Sequence, residues 1–328
     1  MLNIGIIGYR SLVGSILHDR LKITSLPPTQ KYHYFSTSQA QQKIQINRKS
    51  YTLKNAHNLA ELQNMDIILT TQGSRYTQKI HPQLRKNHWP GYWIDAASYL
   101  RMAPNSIIVL DPINRPAIQH ALKTGIKDFI GSNCTVSLML MAIAGLTNRN
   151  LIKSIQATTY QSISGAGAQA IDELNAQVQR ISQQIAQKHP SPKGCELINT
   201  LNQIILNTST LPTDRLQAPL AYNLLPWIDH MASHGQSREE QKVMQETNKI
   251  LQRQNTPIPI DATCVRTPTL RSHSQALILE LHQNLPLTTI EHYISQAHPW
   301  IEIVPNTPQE SLQKLSPASC ANLSLIHI

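Results

Sequence analysis

Cys134 stands in Gly131-Ser132-Asn133-Cys134-Thr135, between a short apolar run and the long apolar stretch Val136–Leu146. That setting predicts a cysteine at a helix N-terminus, where unpaired backbone N–H groups stabilise thiolate, the nucleophilic form. The same position also suits a small buried hydrophobe, and position alone leaves both readings open. His273, in Arg266-(six residues)-His273-Ser274-Gln275, decides for the first. A thiolate that attacks a carbonyl needs a proton acceptor, and an anionic substrate needs cations to hold it. Cys134, His273, Arg266, Lys242 and Arg101 supply these parts together. Taken singly, each charged residue is more often a solvated surface group, and a lone histidine is more often structural.

A second chemistry is written near the N-terminus. Gly8-Tyr9-Arg10-Ser11-Leu12-Val13-Gly14 follows the apolar run Leu2–Ile7 and leads into a helix-like pattern over Leu12–Leu21. Glycines in such a loop let the chain turn sharply and let backbone N–H groups reach a pyrophosphate. A strict G-x-G-x-x-G is absent, so the loop alone also fits a tight turn without ligand. After the second strand-like run, Tyr32–Phe35, NAD sites carry an acid for the ribose 2′-hydroxyl. Here Ser36-Thr37-Ser38 stand instead, with no acid nearby. Hydroxyl donors with Arg10 suit a 2′-phosphate, which predicts NADP over NAD. The bland use of Ser-Thr-Ser is a cap or turn.

The elements that must position these residues change character near Cys134. Before it, strand-like runs at Leu2–Ile7, Tyr32–Phe35, Asp66–Thr70, Tyr92–Asp95, Ile107–Leu110 and Phe129–Gly131 alternate with helix-like segments at 12–21, 57–62, 76–86 and 116–123. Such alternation predicts a parallel sheet covered on both faces. After it come a strand-like Ser154–Tyr160, a long helix over 170–187 and a helix over Ser237–Gln252. Ser237 and Glu240 form a capping-box pattern there. Two strands follow, Ile258–Val265 and Ser274–Leu281, read as antiparallel. This irregular order predicts an α+β domain. The expected division is 1–133, 134–321 and a short tail, 322–328.

Bulk properties narrow the partners. The 328 residues carry a formal charge of +10, with 5% aromatics. Lys and Arg are scattered singly, without a stripe interleaved with aromatics, which argues against nucleic acid. A generally basic surface or small anionic ligands account for the charge. No stretch approaches about 20 consecutive apolar residues, so no membrane span is expected. The N-terminus reads as a strand rather than a signal peptide. Cysteines 134, 195, 264 and 320 lack metal-ligand spacing, and free thiols in a reducing cytoplasm are expected. No metal site is expected.

The chain resembles the bacterial aspartate-β-semialdehyde dehydrogenases. The resemblance runs in order through Gly8–Gly14, Trp93-Ile94-Asp95-Ala96-Ala97-Ser98 with Arg101, and Gly131-Ser132-Asn133-Cys134-Thr135-Val136-Ser137-Leu138-Met139-Leu140-Met141. It continues through Ala157-Thr158-Thr159-Tyr160-Gln161, Ser237-Arg238-Glu239-Glu240 with Lys242, and Cys264-Val265-Arg266 with His273-Ser274-Gln275-Ala276. It implies a Rossmann-like NADP-binding domain and a catalytic and dimerisation domain of the glyceraldehyde-3-phosphate dehydrogenase-like type, joined in a homodimer. The implied reaction interconverts L-4-aspartyl phosphate with L-aspartate 4-semialdehyde and inorganic phosphate through a Cys134 thioester. It feeds lysine/diaminopimelate, threonine and methionine synthesis. The implied roles are His273 as acid/base, Gln161 orienting the substrate, Arg266 on its α-carboxylate and Glu240 on its ammonium. Arg101, Lys242 and Asn133 would hold phosphate. Gly8, Arg10, Ser11, Leu12, Val13, Thr37, Ser38, Gln72, Ser164, Gly165 and Gly167 would meet the cofactor.

Ser11 stands where the family usually has glycine, and is expected in the first helical turn, capping it. The family's chain continues past the segment resembling Leu315-Ser316-Pro317-Ala318, whereas this one stops at Ser324-Leu325-Ile326-His327-Ile328. That ending resembles a frameshifted or truncated tail, so the alternative is a catalytically incompetent NADP-binding homologue. Reductases of other acyl phosphates, such as N-acetylglutamyl phosphate, are a closer rival. Glu240 argues against them, because an acid suits a free ammonium.

Overall fold

The computed structural model describes residues 1–23, 30–46, 48–188, 192–320 and 326–327. The chain divides into two compact units, Met1–Ser137 with Gln245–Pro257, and Leu138–Met244 with Ile258–Ile328. Of the expected tail 322–328, residues 322–325 and 328 lie outside the described residues.

The first unit runs β1 (Asn3–Ile7), α1 (Leu12–Ile23), β2 (Lys31–Ser36), β3 (Lys43–Ile46), β4 (Lys49–Thr52), β5 (Lys54–Asn55), α2 (Leu59–Gln63), β6 (Ile67–Thr70), α3 (Ser74–Lys86), β7 (Tyr92–Asp95), β8 (Ser106–Val109), α4 (Asp111–Lys123), β9 (Asp128–Gly131) and the first turn of α5 (Cys134–Thr147), whose remainder belongs to the second unit. Seven strands form a sheet in the order β5-β2-β1-β6-β7-β9-β8, every pair parallel. Both faces are covered, as the near-continuous apolar runs require. Ile7, Phe35, Ile68, Trp93 and Ile130 bury one face with Leu62, Ile80 and Leu84. The neighbouring residues Ile6 and Tyr34 point the other way, toward Leu53 and Ile46. The antiparallel hairpin of β3 and β4 was not anticipated.

Parallel strands bring their C-terminal ends to one edge. Gly8 follows β1, Thr37 follows β2, Gln72 follows β6, Ala96 follows β7 and Ser132 follows β9. These are the segments singled out for chemistry.

The second unit contains β10 (Ile152–Gln161), α6 (Ala168–Lys188), α7 (Cys195–Leu206), the start of α8 (Arg238–Ile250), β11 (Ile260–Arg266), β12 (Ser274–Leu281), α9 (Leu287–Ser295), β13 (Ile301–Glu302), α10 (Pro308–Lys314), α11 (Pro317–Cys320) and β14 (Ile326–His327). Three of these strands form a sheet in the order β11-β10-β12. The last two strands run in opposite directions, as expected, but are not neighbours. β11 is parallel to β10 and β12 antiparallel to it, with β10 between them. A hydrophobic core joins Ala170, Leu174 and Ile181 of α6 to Ile204 of α7 and to Leu211, Leu220 and Ala221. Gln177, fully buried on α6, staples that loop by donating to Pro212 O at 2.8 Å and accepting from Leu220 N and Ala221 N at 2.8 and 3.0 Å.

Residues 245–257, expected in the second domain, belong to the first unit. The reason is polar. Glu246 and Lys249 of α8 bind Arg101, Ala103, Ser106 and Asn133. Among the described residues, no helix is long and apolar enough to cross a membrane.

Candidate active site

The loop after β1 closes through a chain of hydroxyls. Ser11 Oγ accepts from Gly14 N–H and donates to Thr71 Oγ1, both at 2.9 Å, and Thr71 Oγ1 donates to Gly8 O at 2.8 Å. Ser11 thus caps α1 in the manner expected of it. A Cβ on Gly14 would sit 2.1 Å from Gly8 O, so the turn is closed to any side chain there. Gly8, Tyr9, Arg10, Ser11, Phe35, Ser36, Thr37, Ser38 and Gln72 line a cavity of about 290 Å³. No carboxylate is in that lining. Ser36 Oγ is spent on its own turn, accepting from Ser38 N and Gln39 N. Thr37 Oγ1 accepts from Gln72 Nε2 at 3.3 Å. Leu12 and Val13 lie in the first turn of α1, outside the lining. Backbone approach and hydroxyls in this lining could hold a dinucleotide.

In the same unit Cys134 is exposed and is the first residue of α5, whose first turn carries no acid. Asn133 caps this helix. Its Oδ1 accepts from Thr135 N at 2.8 Å, Thr135 Oγ1 at 2.6 Å and Val136 N at 3.2 Å. Its own N–H donates to Glu246 Oε2 at 3.0 Å. Glu246 Oε1 accepts from Arg101 Nη1 at 3.0 Å. Arg101 Nε and Nη2 donate to Gly131 O and Ala96 O. Asp95 braces the intervening segment, accepting from Thr77 Oγ1, Trp93 Nε1 and Ala97 N. Burial pushes its carboxyl up, against those hydrogen bonds. Glu246, buried at 1% exposure, carried no signal in the sequence. It lies nine positions past the Ser237 cap, among ordinary charged residues.

In the second unit, strand register assembles the site. Gln161 and Arg266 end parallel strands and are paired directly. β12 runs the other way and starts at Ser274, paired with Tyr160. His273 therefore arrives beside the end of β10. Ser162 N–H donates to His273 Nδ1 at 3.0 Å, with Ser162 Oγ 3.2 Å from the same nitrogen. Arg266 Nη1 donates to Ser162 O at 2.9 Å. Burial first, then the Arg266 guanidinium, lowers His273 to about 4. Ser164, Gly165 and Gly167 lie on and just after the short helical turn Ile163–Ala166. A Cβ on Gly165 would come within 3.1 Å of Arg266 Nη1 and 3.4 Å of His273 Cε1.

The acid beside Gln161 is Glu239, a correction to the expected Glu240. Glu240 completes the capping box, accepting from Ser237 N at 2.7 Å while its own N–H donates to Ser237 Oγ. Its other oxygen accepts from Cys264 N. Glu239 instead accepts from Gln161 Nε2 at 3.4 Å and from Lys242 Nζ at 3.0 Å. Asp229 Oδ2 accepts from the same ammonium at 2.6 Å. Burial works against the charge on Lys242, but Glu239 and Asp229 outweigh it and hold the ammonium above its usual range. Asp229 was not anticipated. Cys264 is fully buried, and burial pushes its thiol up to about 11.

Residues 3–121 match the family described as semialdehyde dehydrogenase, NAD binding domain, and residues 143–322 match semialdehyde dehydrogenase, dimerisation domain. A solved aspartate semialdehyde dehydrogenase from Francisella tularensis is 41% identical, with a TM-score of 0.94, covering 100% of this chain and 89% of that one. Aspartate semialdehyde dehydrogenase II from Vibrio cholerae, solved with ASA, is 23% identical, with a TM-score of 0.75, covering 94% of this chain and 84% of that one. The Candida albicans enzyme, solved with NADP, is 15% identical, with a TM-score of 0.60, covering 96% and 86%. These two show the fold alone.

Proposed function

The chain belongs to the family of aspartate-semialdehyde dehydrogenases, and from that premise we propose an NADP-dependent, phosphorylating enzyme that works through a thioester on Cys134. The substrate is L-aspartate 4-semialdehyde with inorganic phosphate, or L-4-aspartyl phosphate in the reducing direction. That reaction would supply lysine/diaminopimelate, threonine and methionine synthesis, in a cytoplasmic homodimer. The observation that carries the reading is the register that places Gln161 beside Arg266 and delivers His273 to Ser162. A guanidinium, an amide and an imidazole at one sheet edge, with Glu239 beside the amide, match a substrate with one carboxylate, one ammonium and one reactive carbonyl.

Cys134 attacks that carbonyl as thiolate. The α5 N-terminus favours the anion, and no acid in the first turn opposes it. Arg266 pairs with the α-carboxylate through a planar fork that Lys cannot reproduce. Glu239, in place of Glu240, receives the ammonium, and Gln161 orients the carbonyl carbon. His273 meets the carbonyl oxygen. Lys242, Arg101 and Asn133 would hold the phosphate. Arg101 has five N–H donors, of which the named contacts use three. A bound nicotinamide cofactor would supply the hydride acceptor. Gly8, Arg10, Ser11, Thr37, Ser38 and Gln72 would hold its adenosine half, with Leu12 and Val13 behind the loop. Ser164, Gly165 and Gly167 would approach the nicotinamide.

The test is absorbance at 340 nm with aspartate semialdehyde. A rise that requires phosphate, and is faster with NADP than with NAD, is expected. No phosphate dependence overturns the reaction, and equal or better use of NAD overturns the cofactor assignment. The two neighbouring acids separate cleanly. Glu239→Gln should raise KM for the semialdehyde by about tenfold or more, the scale of one lost charged hydrogen bond. Glu240→Gln should change thermal stability and leave KM near wild type. The reverse pattern would return the role to Glu240.

A further inference from the structure

We propose that Asp229 sets the preference of the site for an aldehyde that carries an amino group, by giving Lys242 a second carboxylate so that Glu239 keeps charge for the substrate. The inference rests on the roles given above to Glu239 and Lys242. Lys242 lies three residues after Glu239 on α8, a spacing at which helical side chains meet and opposite charges pair. Paired with Lys242 alone, Glu239 would be neutralised before any substrate arrived. Asp229 Oδ2 accepts from Lys242 Nζ at 2.6 Å, closer than Glu239 Oε2 at 3.0 Å. Two carboxylates around one ammonium leave a net charge of −1. The Glu239, Lys242 and Asp229 side chains are 8%, 17% and 26% exposed, so solvent ions screen that charge only in part.

The chain is built to deliver this carboxylate. Asp229 has a left-handed backbone, φ 72°, a region that Asp and Asn enter more readily than most side chains. Its carbonyl accepts from Trp227 Nε1 and its Oδ1 from His230 N, both at 2.8 Å. Upstream, Leu225 exchanges both backbone hydrogen bonds with Arg266, at 3.1 and 2.8 Å, and downstream Arg238 N donates to His230 O at 2.8 Å. The loop is thereby fixed to the strand end that bears Arg266 and to the start of α8. Burial opposes the charge on Asp229, but Lys242 and the His230 N–H outweigh it and hold the carboxyl below its usual range. Strained residues that are this firmly held cluster at functional sites.

Two ligands read this charge with opposite signs. A substrate ammonium at Glu239 is attracted by it, and an aldehyde without the amino group gains nothing. Phosphate at Lys242 is attracted by the ammonium and repelled by Asp229. Lys242 has three N–H donors, of which the named contacts use two. Removing the Asp229 charge should therefore weaken the amino aldehyde and not the phosphate, whereas loss of a plain structural brace would weaken both. Asp229 acts through Lys242 and Glu239 and is a positioning residue.

The experiment compares aspartate semialdehyde with succinate semialdehyde, which lacks the amino group, using the whole protein with cofactor and phosphate saturating. Asp229→Asn keeps the shape and tolerates the left-handed backbone. Asp229→Gly, which is unstrained there, is the second variant. In both, the ratio of kcat/KM for the amino aldehyde over its analogue should fall by about fivefold, the upper scale for a partly exposed charge pair. KM for aspartate semialdehyde should rise, and KM for phosphate should not. A ratio within about twofold of wild type, the lower scale for such a pair, overturns the proposal. So does a KM for phosphate that rises together with that for the semialdehyde. A wild type that prefers neither aldehyde, or turns over neither, overturns the ammonium role of Glu239 and that of Asp229 with it. A wild type that prefers the amino aldehyde, with variants that prefer it as strongly, overturns the role of Asp229 alone.

Discussion

Cys134→Ala is expected to reduce turnover by more than about 10⁴-fold, as when a nucleophile is deleted, with NADP binding unchanged. The change removes a single exposed sulfur at the first position of α5, and alanine is the strongest helix former. The cap from Asn133 Oδ1 to Thr135 and Val136 stays in place, so the helix start should survive. No other thiol can substitute. Cys264 is fully buried with its thiol pushed up to about 11, and burial also raises Cys320. Cys195 is exposed, but it starts α7, a helix that carries none of the proposed substrate groups. Turnover with semialdehyde and phosphate, cofactor titration and iodoacetamide labelling at pH 7 check the three parts. Turnover near wild type in Cys134→Ala would end the thioester mechanism.

Glu246→Gln is expected to cost about 3–5 kcal/mol, the usual penalty for breaking one side of a buried ion pair. The carboxylate serves two donors, Arg101 Nη1 and Asn133 N–H, each at 3.0 Å. Glutamine has one acceptor oxygen, and its amide N–H groups would confront the other donor. Arg101 would keep a buried charge, since it is only 8% exposed. For a chain of this size the shift in Tm should be on the order of 10 °C. The double variant Arg101→Met with Glu246→Gln should recover part of the loss, because no unpaired cation remains. Thermal melting of the three proteins measures this directly. A single variant that melts within about 2 °C of wild type, the scale of an ordinary surface change, would show that the pair contributes little.

Much of this was legible before any coordinates. Tyr92–Asp95 and Ser274–Leu281 were bounded correctly from their flanking turn residues and alternation. The apolar run Val136–Leu146 read as a helix with Cys134 at its N-terminus, as found, while the Asn133 cap was not anticipated. Ser237 and Glu240 announced a capping box that is present. The difficulty lay in giving Glu240 a second role. Consecutive helical residues point about 100° apart, so one of two adjacent acids faces Gln161 and the other does not. The cap consumes Glu240, and this leaves Glu239. The neighbour of the last two strands was illegible for a related reason. Pattern identifies a strand but does not name its neighbour, and β10 took the place between them.

By itself the sequence determined the alternation of strands and helices, the glycine turn at Gly8–Gly14, the helix that begins at Cys134 and the inventory of charges that a substrate could meet. These follow from local rules of sterics, periodicity and capping. Only the tertiary structure decided which groups meet. The parallel register of β10 and β11 sets Gln161 against Arg266. The reversal into β12 brings His273 to Ser162 N–H, and the turn of α8 brings Glu246 under Arg101 and Asn133. Contacts between residues more than a hundred positions apart depend on register and helix rotation. Those are set by packing of the whole unit, and no local window of sequence contains them.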